Sequence, residues 1–155
     1  MKELDPTTVE SSELVEQTFN FWFNTREHIR SPFPEYIRTD LKKEAINKFY
    51  NWASGLNDEA KEEVNDEIIG EKFEEIIFET ALTLVLTEDE KITINYPFLP
   101  RIGDEIKDQQ NTKNGTLSIV IDRSLIKEND HSFLKVKLEK KDSTDRWETK
   151  FELPK

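Results

Sequence analysis

The chain has 155 residues, a formal net charge of −11, and equal 35% shares of hydrophobic and charged residues. That length can bury a core of ordinary domain size, and ten Phe with three Trp exclude a disordered chain, because bulky aromatics supply the burial that offsets ordering entropy. Zero cysteines exclude disulfides, thiolate metal sites and cysteine nucleophiles.

Met1-Lys2-Glu3-Leu4-Asp5-Pro6 contains no apolar h-region, so no secretory signal is expected, and a reducing cytoplasm is the expected location. Thr7-Thr8-Val9-Glu10 has the spacing of a capping box, with Ser11 and Ser12 as alternative caps. Val15, Phe19, Trp22 and Ile29 then share one helical stripe, widened by Phe23, and Leu14, Phe21 and His28 flank it. The first helix is predicted to end near Ser31, because Pro32 and Pro34 bar continuation. Phe21 sits roughly opposite Phe23 on the helical wheel. Either this helix is buried on several sides, as an ordinary core helix is, or Phe21 meets a partner.

A second helix is predicted from a cap at Thr39 or Asp40 to Ser54, burying Leu41, Ala45, Phe49 and Trp52, with Gly55 in the left-handed closing position. Asn57 can cap a third, whose acidic first turn, Asp58-Glu59, suits the positive end of the helix dipole. Ala60, Val64 and Ile68 recur four apart; Gly70 is expected to break the phase before Phe73, Ile76, Ile77, Ala81, Leu84 and Val85. Phe78, Thr80, Leu82, Leu84 and Leu86 also alternate as a strand would, but the helical stripe has more members, so helix is predicted to about Leu86. The run Ile76 to Leu86 is interrupted by Glu79 and is too short to span a bilayer.

Beyond Lys91 the period changes to two. Ile92, Ile94, Tyr96 and Phe98 alternate, with Pro97 and Pro100 marking an edge strand's end. Leu117, Ile119 and Ile121 follow a polar loop, Asp108–Gly115, which ends in the turn signal Asn114-Gly115. Leu134, Val136 and Leu138 then alternate with Lys135, Lys137 and Glu139, and Trp147, Phe151 and Leu153 with Glu148, Lys150 and Glu152. Short polar connections predict an antiparallel meander with one covered and one wet face. The expected fold is a single α+β domain: three to four helices in residues 1–90, packed on one face of a C-terminal β-meander of about four strands in residues 91–155.

Asp58 to Glu90 holds thirteen carboxylates against two lysines, a net of −11 that equals the charge of the whole chain. Such a field favours a basic protein partner and opposes nucleic acid or an anionic membrane. Glu63, Asp66, Glu67 and Glu74, with Phe21, are the candidate partner-binding residues. The plainer reading is a solvated helix face, since Glu62, Glu63, Asp66, Glu67, Glu74 and Glu75 fall mostly off the apolar stripes. Against it stands the shortage of lysines, because like charges three and four apart repel.

His28 and His131 are the only residues able to titrate near neutrality without perturbation, and neither has metal-ligand spacing to a second His. No calcium loop, P-loop, dinucleotide fingerprint or nucleophile elbow is present, so no catalytic residue, metal or cofactor is expected. Asn114-Gly115-Thr116 matches a glycosylation acceptor but reads as a turn without secretion. Pro100-Arg101-Ile102-Gly103-Asp104-Glu105 combines a turn with mixed charges, beside Tyr96 in sequence. It is either a Gly-Asp turn launching a strand or the rim of a small pocket.

Two functions fit these residues. The first is a non-enzymatic, acidic interaction domain that binds a basic partner, in its sharpest form an inhibitor or immunity-type protein. The alternative is a small-ligand binding or enzymatic domain with a pocket between helices and sheet, using Tyr96, Arg101, Asp104 and His131.

Overall fold

The computed structural model describes residues 2–24, 30–107 and 117–154. Among these the chain order is a 3-10 turn at Lys2–Leu4, five α-helices, then four strands, an α+β layout. The chain divides into two compact units, Met1–Pro97 and Phe98–Lys155. The first is helical and the second is a sheet.

α1 (Val9–Phe23) starts at Thr8, whose hydroxyl accepts from the Ser11 N–H, one residue later than the Thr7 spacing suggests. It stops well before Ser31: Asn24 is already extended, with φ −98° and ψ 137°. His28 and Ile29 lie outside the described residues. α2 (Glu35–Ser54) begins directly after Pro34 rather than at Thr39 or Asp40. Its buried stripe is Ile37, Leu41, Ala45, Phe49 and Ala53, while Trp52 is only half-buried. Gly55 closes it in a right-handed conformation (φ −80°), not the expected left-handed one, and its N–H bonds the carbonyls of Asn51 and Trp52. The helical winding carries one step further, to Leu56, before Asn57 starts the next helix, so no chain reversal is needed there.

The predicted break at Gly70 is displaced. α3 (Asp58–Glu63) ends at an extended Val64, and α4 (Asp66–Leu84) then runs through Gly70 without interruption. Asn65 forces this position, because its side-chain oxygen accepts from the Ile68 N–H at 2.9 Å and starts a new helix. The helical stripe over residues 73–85 prevails over the strand alternative. The strand expected from Ile92 is instead α5 (Glu88–Asn95), which buries Ile92 and Ile94. Its cause is the capping box Thr87–Glu90, with both reciprocal bonds present.

α2 packs chiefly on α4. Phe49 and Phe73, both fully buried, meet with ring centroids 4.7 Å apart, and Phe19 of α1 adds an edge-on contact to Phe73 at 5.5 Å. The buried polar groups of this core are satisfied: Lys48 Nζ donates to Thr80 Oγ1 at 3.2 Å, and Ser11 Oγ bonds the Tyr50 hydroxyl.

In the second unit β1 (Glu105–Lys107), β2 (Leu117–Glu128), β3 (His131–Lys140) and β4 (Arg146–Glu152) lie in that order, all antiparallel. The β2–β3 hairpin turns at Asn129 and Asp130, both at positive φ (49° and 66°), as a two-residue I′ turn requires. Leu134, Val136 and Leu138 are fully buried, with Leu153 nearly so. Lys135 and Glu148 pair on the opposite face at 3.2 Å, and Lys150 and Glu128 at 2.6 Å. β2 differs from expectation. Its buried positions are Ser118 and Val120, not Leu117, Ile119 and Ile121. A bulge between Val120 and Asp122 then flips the parity, which puts Arg123 opposite Val136 on the buried face. Arg123 is 6% exposed and donates to the Pro100 carbonyl at 2.9 Å.

Val136→Asp should unfold the sheet, since it buries an unpaired carboxylate at a position with no exposure, a loss of more than about 4 kcal/mol. Lys137→Asp on the wet face should leave the melting temperature nearly unchanged. Equal shifts for the two variants in thermal denaturation would contradict the register.

Candidate functional site

The acidic segment is built by three helix starts. Asn57 caps α3 by accepting from the Ala60 N–H at 2.7 Å, Asn65 caps α4, and Thr87 caps α5. Behind these caps stand Asp58 and Glu59, Asp66 and Glu67, and Glu88, Asp89 and Glu90, each set in the first turn of its helix. Seven of the thirteen carboxylates thus lie where the helix dipole favours a negative charge. Asn-Asp-Glu occurs at both residues 57–59 and residues 65–67, a signal in the sequence that would have located the second cap.

The remaining carboxylates divide by what they touch. Glu74 accepts from the indole N–H of Trp22 at 3.3 Å, and Glu75 pairs with Lys72 at 3.6 Å. Both contacts are exposed and worth little by themselves. Glu62 and Glu63, exposed at the α3–α4 junction beside the first-turn Asp66 and Glu67, have no cation within ion-pair distance among the described residues, and neither do Asp66, Glu67, or Glu71 and Glu79 further along α4. An open depression of about 530 Å³ at the junction is lined by Lys61, Glu62, Val64, Asn65 and Asp66. Asp66 also lines a groove of about 280 Å³ with Glu3, Glu10, Glu13 and Gln17, over Leu14 and Ile69. Carboxylates from the chain's start therefore extend the acidic surface, which sequence proximity did not reveal.

The candidate partner residues fall into two groups. Glu63, Asp66 and Glu67 share the helix junction. Glu74 lies two turns further along α4, about 12 Å away, and reaches Trp22, on which half-buried Phe21 packs edge-on at 5.0 Å. Trp22 itself is held edge-on to Phe78 at 4.9 Å, so this part of the wide aromatic face is core.

The pocket candidates do not gather in one unit. Tyr96 is the C-cap of α5 in the first unit, whereas Arg101, Asp104 and His131 belong to the second. Arg101 and Asp104 form a local turn: the Asp104 carboxylate accepts from the Arg101 N–H at 2.8 Å, the Arg101 carbonyl accepts from the Asp104 N–H at 2.9 Å, and Gly103 takes φ 93° between them. This is a turn that launches β1. His131 opens β3 at the hairpin, with Nδ1 3.2 Å from Glu152 Oε1. Pro100 lies against Arg123 and His131 against Glu128, so about five residues of β2, roughly 17 Å, separate the turn from the histidine. Among the described residues no three His, Cys, Asp or Glu converge as a metal ion would require.

Glu90 takes several bonds at once. Tyr36 donates to it at 2.6 Å, and it also takes the Thr87 hydroxyl at 2.8 Å and the Thr87 and Leu86 N–H groups. Burial pushes its carboxyl up, but the bonds from Tyr36, Thr87 and Leu86 outweigh that and hold it below its ordinary value. The same contact pushes the Tyr36 phenol up.

No family model matches the chain, and no curated protein or solved structure matches it either.

Since the folded state lowers the Glu90 pKa, its stabilisation is full above the ordinary value of 4.5 and is lost as pH falls through the folded value. Glu90→Gln should therefore melt below the wild type at neutral pH, with the gap closing as pH drops under 4.5. A gap independent of pH between about 3 and 7 would contradict the assignment.

Proposed function

We propose that this chain is a non-enzymatic interaction protein that presents the α3–α4 junction to a basic protein partner. The sharpest form of the proposal is a cytoplasmic inhibitor or immunity-type protein that neutralises a basic nuclease or toxin. The observation that carries it is the set of exposed carboxylates Glu62, Glu63, Asp66 and Glu67 at this junction, none with an ion-pair partner among the described residues, of which Glu62 and Asp66 line the depression beside Lys61. The helix dipole accounts for Asp66 and Glu67 but not for Glu62 and Glu63, which sit at the negative end of α3. Carboxylates in that position cost the helix stability, so the fold does not account for them and a role toward a partner does. The same field opposes nucleic acid. No helix among the described residues is long and apolar enough to cross a membrane.

A docking role makes complex formation weaken with salt, with association slowing more than dissociation quickens. Affinity capture from native lysate identifies the partner, and kinetics on the purified pair then read the effect. The triple change Glu63→Lys, Asp66→Lys and Glu67→Lys should abolish capture, at a cost of about 0.3–1 kcal/mol of stability for each first-turn carboxylate lost. Glu62→Lys with Glu63→Lys avoids that cost, since cations suit a helix C-terminus, and should still weaken binding. Capture unchanged in both variants would refute the proposal and leave the acids as a solvated face.

A further inference from the structure

β4 has only one neighbour in its sheet, β3. Two bonds beyond its ends settle the backbone parity along it: Leu153 N–H to the Ser132 carbonyl and Asp145 carbonyl from the Lys140 N–H, both at 2.9 Å. Odd-numbered residues therefore bond inward to β3. Arg146, Glu148, Lys150 and Glu152 turn their N–H and C=O groups outward. These groups meet no backbone partner among the described residues, and the four side chains are exposed.

The order of side chains on this edge is self-complementary. When Arg146-Trp147-Glu148-Thr149-Lys150-Phe151-Glu152 is laid antiparallel on a second copy about Thr149, Arg146 meets Glu152 and Glu148 meets Lys150. On the other face Trp147 meets Phe151, and Thr149 meets itself. The charged residues are the ones with outward backbone groups, so every charged pair is also a hydrogen-bonded pair. Moving the centre by one residue destroys this match. About Glu148, that residue faces itself and Arg146 faces Lys150; about Lys150, that residue faces itself and Glu148 faces Glu152. Charges on an edge ordinarily block pairing of any kind. Here their alternation rejects the neighbouring registers and accepts one.

Contacts within the chain extend across such a junction instead of competing with it. Lys135 already pairs with Glu148, and Lys150 with Glu128 at 2.6 Å. The chain of ion pairs across the interface then runs Lys135, Glu148, Lys150 of the second copy, Glu128 of the second copy, alternating in sign, while in the β3–β4 register Lys150 also stands opposite Lys135. In the second row Arg146 has Glu139 beside it at 3.2 Å, and Glu152 has His131 Nδ1 at 3.2 Å. The sheet unit also has the electrostatic freedom to self-associate: residues 98–155 sum to +1, against −12 for residues 1–97.

We propose that the chain forms a two-fold dimer by antiparallel β4–β4 pairing centred on Thr149. This interface does not depend on the acidic helix junction. Sedimentation of the full chain from about 1 μM to 1 mM should show a concentration-dependent monomer–dimer equilibrium. In the dimer each residue 148 faces residue 150 of the second copy, and symmetry makes this pair occur twice. Lys150→Glu turns both pairs into carboxylate against carboxylate, and Glu148→Lys turns both into ammonium against ammonium. Each variant alone should weaken dimerisation about tenfold or more. Mixing the two restores opposite charges in every pair and should yield a 1:1 heterodimer, a rescue that loss of folding does not produce. In the cysteine-free chain, Thr149→Cys should form an interchain disulfide on mild oxidation, because facing residues of a non-hydrogen-bonded pair lie about 4.5 Å apart at Cα. A monomer over the whole range, or a dimer indifferent to Lys150→Glu, would overturn the proposal.

Discussion

The constraint on which the rest of the first unit depends is that a carboxylate must stay in water or be paired. Thirteen of them within Asp58–Glu90 leave few positions for a core, so each helix there can bury only a narrow stripe. α4 meets the constraint by burying Ile69, Phe73, Ile76, Ile77, Thr80 and Ala81 while Glu71, Glu74, Glu75 and Glu79 stay outside. α3, with four acids in six residues, buries nothing. The aromatic residues of α1 and α2 compensate, since Phe19 and Phe49, with Phe33 just ahead of α2, supply large buried volumes where carboxylates are fewer.

The same constraint explains where the helices begin. Acids placed behind Asn57, Asn65 and Thr87 turn a liability into dipole and capping interactions. Glu90 shows how far this goes: one carboxylate serves the capping box of α5 and receives the phenol of Tyr36 from α2. The acids that no such interaction accounts for are Glu62 and Glu63 at the α3–α4 junction and Glu71 and Glu79 further along α4. That distinction separates structural charge from charge available to a partner.

The sheet obeys a different rule, the period of two, and its exceptions are informative. The bulge in β2 carries Arg123 onto the apolar face, where the Pro100 carbonyl receives it and anchors the segment that leads into β1. On the outer edge, β4 alternates charges of both signs on the wet face, and Arg146, Glu148 and Lys150 each sit within ion-pair distance of an opposite charge in their own sheet. Neutral in sum and exposed, that edge contrasts with the acidic helical surface.

Local signals made much of this legible in the sequence. Hydrophobic period separated helices from strands, and the alternation of Leu134, Val136 and Leu138 named the buried face of β3, because a side-chain pattern there needs only its own strand to be read. The long stripe of α4 outweighed a competing strand pattern for the same reason. Where two local signals conflicted, the stronger one was the less visible: Ile92, Ile94 and Tyr96 alternate as a strand does, yet the Thr87–Glu90 capping box starts a helix through them. Gly70 looked like a break, but Asn65 offered a hydrogen bond that started the helix earlier, and glycine within a helix costs only about 1 kcal/mol. Tertiary structure alone decided the rest. The parity flip in β2 depends on the bulge against β3, the acidic groove joins Glu10 to Asp66 across more than fifty residues, and Arg101 is separated from His131 by the length of a strand. Each of these is a relation between distant residues, set by pairing and packing, which no pattern within a single element encodes.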